Sequence, residues 1–310
     1  MKTFTKSLNT KLLAIMVVLI VAWIVFRVAS SINREKEGFT VPIFSKKYEK
    51  KEKGAVFDAA YAPVFDIVTR DNERLEFERS VVDEIVSAQN KKNPKVLDLC
   101  SRTGNFLSVL HFSHPEWHIV GMEPSRDFVN ASKQKLSSSR SLELICSDPL
   151  SPMSAKFGTY DVISLLYFSV YYFNATQKRQ LFQNCHKWLA PDGKLVLHLV
   201  NRSKFDTMID IAMPINVSDY TKNRITDSVV KFNDLDYKAK FGDDELSTKS
   251  IATFRETMKD REGHIRENEH VFFMEKQRQI LDIAQECGFV IDKQYALSGD
   301  ANQFIYILGK

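Results

Sequence analysis

The chain is 310 residues long, 44% hydrophobic, with a formal net charge of +4 at pH 7. Once a membrane-like N-terminal stretch is set aside, that length holds one large domain or two small ones, and the apolar content supports a sizeable core. So small a net charge argues against a nucleic-acid partner, whose recognition concentrates basic side chains on one face. The four cysteines, Cys100, Cys146, Cys185 and Cys287, are far apart with no C-x-x-C pair. That argues against a disulfide framework or zinc site, and for free thiols in a reducing compartment.

The first predicted element is apolar. Residues 12–26 are uninterrupted hydrophobic sequence, and Val28-Ala29 extend the run past Arg27, which can snorkel to an interface. This is near the lower limit for a spanning helix. Val28-Ala29-Ser30 offers small residues for cleavage, but the run is long for a signal peptide and Arg27 sits just before that site. Residues 1–30 therefore read as one uncleaved transmembrane anchor. Lys2, Lys6 and Lys11 precede the run, and Arg34, Lys36, Lys46 and Lys47 follow it, so the positive-inside rule leaves orientation undecided. Residues 31–54 read as a charged linker, a solvated tether with some helix late in it.

From residue 55 the pattern is globular. Apolar spacing of three to four predicts helices over 55–68 and 74–88. Asn93-Pro94 breaks the chain before a strand at 96–100. A helix at 104–112 and a strand at 119–122 follow. Next come a helix at 126–136 with Ser125 as its cap, a strand at 142–146, and a strand at 161–166. A long amphipathic helix at 176–189 closes at Pro191-Asp192-Gly193 before a strand at 194–200. Alternating strands and helices predict a parallel, doubly wound sheet. Past residue 200, residues 228–241 and 251–274 alternate polar and apolar as antiparallel strands do, with a hairpin turn at Gly263. Helical spacing returns at 275–286, capped by Cys287-Gly288, and 289–296 and 303–308 read as closing strands.

The segment from Val96 to Phe106 carries the strongest signal. A buried strand stops on Asp98, makes a tight turn, and starts a helix at Thr103-Gly104; the next strand ends on Glu123. That is the layout of a nucleotide-type ligand site at the carboxyl edge of a parallel sheet, where a carboxylate can take both hydroxyls of a ribose.

This ordering resembles the class I S-adenosylmethionine-dependent methyltransferases over residues 57–310. The resemblance implies an α/β, Rossmann-like, seven-stranded doubly wound sheet of order 3-2-1-4-5-7-6 with strand 7 antiparallel. A β-rich section is inserted at about 205–275, inside a methyltransferase domain of residues 55–310. Leu166 to Tyr172, Asn184 to Leu189, His198 to Asp206 and Asn268-Glu269-His270 carry a closer likeness to a group from large DNA viruses and some microbes. Members of that group often have an N-terminal hydrophobic segment.

The resemblance implies S-adenosyl-L-methionine as cofactor. It makes Asp98, Cys100, Ser101, Arg102 and Gly104 the cofactor loop, whose usual form is an acid followed by G-x-G-x-G. Cys100, Arg102 and Gly104 stand at the three glycine positions. Arginine at the second is the departure, because glycine there allows close backbone approach. Three outcomes are open: Arg102 swings out, meets the cofactor carboxylate, or blocks the site. Glu123, followed by Pro124, matches the ribose acid, Asp148 an adenine-binding acid, and Tyr61 a tyrosine near the cofactor carboxylate; Tyr167 also falls beside the cofactor.

Methyl transfer from a sulfonium requires alignment more than acid–base help, so no base can be demanded from sequence. Loops after strands 4 and 5 should bind the acceptor; Tyr167, Tyr171 and His198 are the catalytic candidates, with Tyr172, Asn201 and Arg202 beside them. His111, His114 and His118 have a suggestive spacing, but Pro115 breaks any common helix face, so no metal is expected. The expected protein is a single-pass membrane enzyme with its domain on the cytosolic side. Its acceptor is an unidentified small molecule, lipid or protein. The alternative is a non-catalytic binding or scaffold protein on the same fold.

Overall fold

The computed structural model describes residues 44–136, 141–205, 227–242, 245–297 and 300–310. The apolar runs become the parallel strands β2 (Lys95–Leu99), β3 (His118–Glu123), β4 (Leu142–Cys146), β5 (Tyr160–Leu165) and β6 (Leu189–Val200). Every residue of β5 is buried, as befits a strand covered on both faces. β11 (Val290–Leu297) and β12 (Asp300–Gly309) form an antiparallel pair, and β12 lies antiparallel to β6. The order β4-β3-β2-β5-β6-β12-β11 is the expected 3-2-1-4-5-7-6 sheet.

Seven α-helices lie among the described residues. These are α1 (Ala62–Val68), α2 (Asn72–Ala88), α3 (Asn105–Ser113), α4 (Arg126–Lys135), α5 (Ala175–Trp188), the single turn α6 (Leu246–Lys249) and α7 (Gln277–Glu286). Asp71 caps α2, Ser125 caps α4 as expected, and Asn174 with Gln177 forms a capping box on α5.

The β-rich section is a second sheet rather than an extension of the first. β7 (Asp227–Lys231), β8 (Leu235–Gly242), β9 (Ile251–Asp260) and β10 (Ile265–Phe273) run antiparallel, with Gly263 at φ +84° between β9 and β10. Period-two alternation turns Leu235, Tyr237, Ala239 and Phe241 of β8 inward. There Leu235, Tyr237 and Ala239 meet Phe57, Val64 and Phe65 from the α1 region and Phe128 of α4, while Phe241 packs into the main core of the first sheet.

Two expectations need correction. The helix predicted over 55–68 begins only at Ala62. A 3-10 turn occupies Lys53–Val56, and Asp58 then bends the chain, accepting from the Tyr61 N–H while Arg266 clamps its carboxylate at 2.8 and 3.1 Å. The late part of the expected tether is a strand: β1 (Tyr48–Glu52) pairs parallel with β10. Its mixed lysines and glutamates suit a charged sheet edge, so the folded unit starts before residue 55. The expected anchor and the linker up to residue 43 lie outside the described residues, as do residues 206–226 of the insert. Among the described residues no helix is long and apolar enough to cross a membrane.

The inner face of β10 is polar, which the alternating pattern alone did not explain. Arg266, Asn268 and His270 are all buried and converge with Glu256 of β9. Tyr61 and Tyr237 each donate to Glu256 Oε1 at 2.6 Å; Asn268 Nδ2 at 3.0 Å and His270 Nε2 at 2.8 Å reach Oε2. Burial alone would push this carboxyl's pKa up, but His270, Tyr237 and Tyr61 outweigh it and hold it below the ordinary value. Removing the acceptor leaves four buried donors unmatched. Glu256→Ala is expected to destabilise the chain by about 3 kcal/mol, read as a lower urea midpoint. Because the folded pKa is lowered, Glu256 stabilises above the unfolded carboxylate range, and that contribution is lost as pH falls through the folded value. The wild-type acid limb should therefore be steeper than that of Glu256→Gln; parallel limbs would contradict the assignment.

Candidate functional site

The site grows from the end of β2. Past Leu99 the backbone turns left-handed at Cys100 (φ +54°), Arg102 (φ +52°) and Gly104 (φ +78°). These are the three positions the sequence aligned with glycines. Only Gly104 adopts this region freely; each of the others costs roughly 1–2 kcal/mol. Neighbours hold the turn: the Ser101 N–H reaches Met122 O at 3.1 Å, the Gly104 N–H reaches Ser101 O at 2.9 Å, and Ser132 Oγ donates to Arg102 O at 2.9 Å. Burial pushes the Cys100 thiol up to about 12, so it sits there as a compact neutral group.

Glu123, at the end of β3, is 1% exposed. Its carboxylate accepts from the Arg102 N–H at 3.0 Å and the Ser125 N–H at 3.0 Å. Of the three outcomes open for Arg102, the structure has the guanidinium turned inward, 3.7 Å from Glu123 Oε1. It lies over the rings of Phe57 at 4.0 Å and Tyr172 at 4.8 Å. Beside it a cavity of about 50 Å³ is lined by Asp98, Cys100, Arg102, Arg74, Glu78 and Tyr167, among others. Pockets for drug-sized ligands run to roughly 300–1,000 Å³.

Sequence reading missed the floor of this cavity. Arg74 Nη1 pairs with both Glu78 oxygens at 2.9 and 3.0 Å, Nη2 donates to Thr69 O at 3.0 Å, and the guanidinium covers the Tyr167 ring at 4.2 Å. The available signal was an Arg and a Glu four apart on the apolar stripe of α2 that also holds Leu75, Val82 and Ile85. Thr103, buried beside the loop, donates to Asp66 at 2.7 Å and ties α1 to the turn.

Several candidates lie elsewhere or serve the fold. Tyr61 gives its hydroxyl to Glu256 and not to an open ligand site. Tyr171 is fully buried and its oxygen accepts from the Val200 N–H at 2.8 Å, locking the loop after β5 to β6. His198 is also fully buried, and burial, with Arg74 adding, pulls its pKa down to about 3, too weak a base for proton removal. Arg202 binds Ser250 and Met274 O, joining the two sheets, and Asn201 Oδ1 accepts from the Ser203 N–H. Asp148 is exposed and caps its own turn at the Leu150 N–H; Pro124 is exposed, and Ser101 is buried in the loop. Tyr167 and Tyr172 do reach the site. Tyr172 Oη lies 2.8 Å from His270 Nδ1. His114 stacks on Trp117 and pairs with Asp83, away from His111 and His118.

Asp98, buried beneath the loop, accepts from Ser164 Oγ at 2.6 Å. Burial raises its pKa from 3.8 to about 8; the Ser164 bond opposes this, and Glu78 and Glu123 add to it. A raised folded value means the folded chain keeps a proton that the unfolded chain has lost, so this group's contribution to stability declines as pH rises from 3.8 towards about 8. The urea midpoint should fall across that window more steeply for wild type than for Asp98→Asn. Equal slopes would mean Asp98 is ionised throughout.

With this geometry in place, comparison with known proteins is informative. Residues 97–195, from β2 into β6, match a methyltransferase domain family. No curated protein sequence matches the chain. Among solved structures, an S-adenosylmethionine-dependent methyltransferase from Clostridium acetobutylicum is similar at a TM-score of 0.61 and 16% identity, covering 80% of this chain and 97% of its own. The CcbJ methyltransferase from Streptomyces caelestis gives a TM-score of 0.59 at 12% identity, covering 80% and 95%. CalS10 from Micromonospora echinaspora, an amino pentose methyltransferase solved with S-adenosylmethionine bound, gives 0.54 at 15%, covering 80% and 95%. Together these support S-adenosylmethionine as the cofactor: residues 97–195 match a methyltransferase domain, and the chain has an α/β fold similar to that of S-adenosylmethionine-dependent methyltransferases.

Proposed function

We propose that this chain is a membrane-anchored S-adenosylmethionine-dependent methyltransferase, with Glu123 as the ribose acid and the loop from Asp98 to Gly104 as the cofactor turn. The observation that carries it is the loop's backbone. Cys100 and Arg102 hold left-handed conformations that favour glycine, directly above a buried carboxylate. Such strain clusters at ligand sites. The residues fit the cofactor on donor chemistry: a buried acid for two hydroxyls, backbone at close quarters, and Arg74 in the adjoining cavity. When bound, the cofactor supplies a methyl group already activated on a sulfonium. The protein then aligns donor and acceptor and excludes water. Tyr167 and Tyr172 wall that space, and β10 covers it through His270.

The acceptor is a small molecule, a lipid or a protein. The amino pentose named for CalS10 favours a small molecule. The stretches around Leu166–Tyr172 and His198–Asp206 favour the viral-type group, whose members often carry an N-terminal hydrophobic segment. A cytosolic domain fits a cofactor made in the cytosol, with unpaired cysteines.

A second reading, a membrane-anchored scaffold with a closed cofactor site, is favoured by the Arg102–Glu123 contact and the small cavity. Calorimetric titration of S-adenosylhomocysteine into the full chain in detergent separates the two. The enzyme reading expects saturable binding weakened on the order of tenfold or more by Glu123→Gln. A folded sample that takes up no ligand at millimolar concentration would leave only the scaffold. For the anchor, the full chain should stay with membranes through alkaline carbonate extraction, and a chain starting at residue 31 should be released. Release of both would end the membrane reading.

A further inference from the structure

Resting on that cofactor reading, we propose that Asn184 and Trp188 of α5 are positioning residues for the base end of the cofactor. They hold the loop after β4 so that Asp148 reads the amino edge of the purine. The site then prefers an adenine nucleoside to one whose amino group is replaced by oxygen.

Glu123 keeps its ribose role, and that fixes the side on which a base can lie. Its strand, β3, has two neighbours. β2 leads into the loop of Cys100, Ser101 and Thr103, all buried. β4 pairs Cys146 with Glu123 and runs out into Asp148, which is exposed. Adjacent strands are about 4.8 Å apart, so a base attached to that ribose reaches the end of β4. Burial chiefly raises the Cys100 thiol and the Asp148 carboxylate adds to it, which puts Asp148 within electrostatic reach of the cofactor loop. Its Oδ1 accepts from the Leu150 N–H at 2.9 Å, leaving Oδ2 for a ligand. A carboxylate accepts only, so it selects an amino group over an oxygen.

Asp148 is held from both sides. Before it, the Ser147 N–H reaches Glu123 O at 3.2 Å. After it, Pro149 disfavours a helical backbone at Asp148. Pro149 is buried, and its carbonyl accepts from Asn184 Nδ2 at 2.9 Å. Further along the loop, Pro152 O accepts from Trp188 Nε1 at 2.9 Å. Asn184 and Trp188 are four apart on α5 and fully buried, so one stripe of the helix meets the loop. Gln180, one turn earlier, donates to Asn184 Oδ1 at 2.9 Å and sets the orientation of that amide. Apolar packing alone would cover the loop. Two directed bonds to its carbonyls fix its backbone orientation as well. They also give a purpose to the stretch from Asn184 to Leu189, which the sequence singles out and the cofactor turn does not use.

The test is calorimetric titration of S-adenosylhomocysteine and S-inosylhomocysteine, which carries oxygen in place of the amino group, into the full chain in detergent. The proteins are wild type, Asp148→Asn, Asn184→Leu and Trp188→Phe. Leucine matches the bulk of Asn184 and phenylalanine keeps an aromatic ring at 188, but neither side chain can donate. Wild type should favour the adenine ligand by about tenfold, the worth of one hydrogen bond to a charged group. In all three variants that ratio should fall towards one. A ratio unchanged by Asn184→Leu and Trp188→Phe, even with both affinities lowered, would make these residues supports of the fold alone. Equal affinities in wild type would mean that Asp148 does not read the base. Either result overturns the proposal, and Trp188→Phe carries the test if Asn184→Leu does not fold. Absence of binding by both ligands in every folded protein would instead overturn the cofactor reading itself.

Discussion

The buried carboxylate of Glu256 joins the two sheets of this protein and sets the shape of the site between them. It gathers Tyr61 from the entry to α1, Tyr237 from β8, and Asn268 and His270 from β10. Through His270 it reaches Tyr172 in the loop after β5. A charge taken out of water in this way is tolerable only when its lone pairs are filled, and here four donors fill them. The arrangement gives direction as well as stability. Each donor has one useful orientation, so the second sheet settles over the carboxyl edge of the first in one register, with the Tyr172 ring facing the cofactor loop.

The loop after β2 shows a different economy. Its backbone keeps a shape that suits glycine, although cysteine and arginine occupy two of the positions. Cys100 fits because a buried neutral thiol is small. Arg102 fits because its side chain finds a carboxylate and two aromatic faces close by. Structure and substitution are therefore coupled: an arginine at this position needs an acid and aromatic faces around it.

The β-rich section changes the reading of the whole chain. It takes in β1, from a segment that looks like a solvated tether, as an edge strand. The folded body therefore includes Tyr48–Glu52, ahead of the first α-helix.

Local pattern determined much. Apolar runs bounded by Asn-Pro and Pro-Asp-Gly breaks, with helical spacing between them, led to alternating strands and helices and a closing strand pair; the seven-stranded order and the β12 reversal came from the family resemblance. Asp98, Gly104 and Glu123 could be placed because strand ends and turns are set by neighbours within a few residues. What sequence could not decide depends on residues far apart in the chain. Asp58 bends the chain before α1 because Arg266 holds it across 208 positions. Tyr171 and His198 looked like site residues, since each lies at a strand edge, yet burial turns one into a lock on Val200 and leaves the other a core imidazole. Glu256 and the inward fold of Arg102 were invisible for the same reason. A buried charge is explained only by its partners, and those partners are assembled by tertiary packing, not by spacing along the chain.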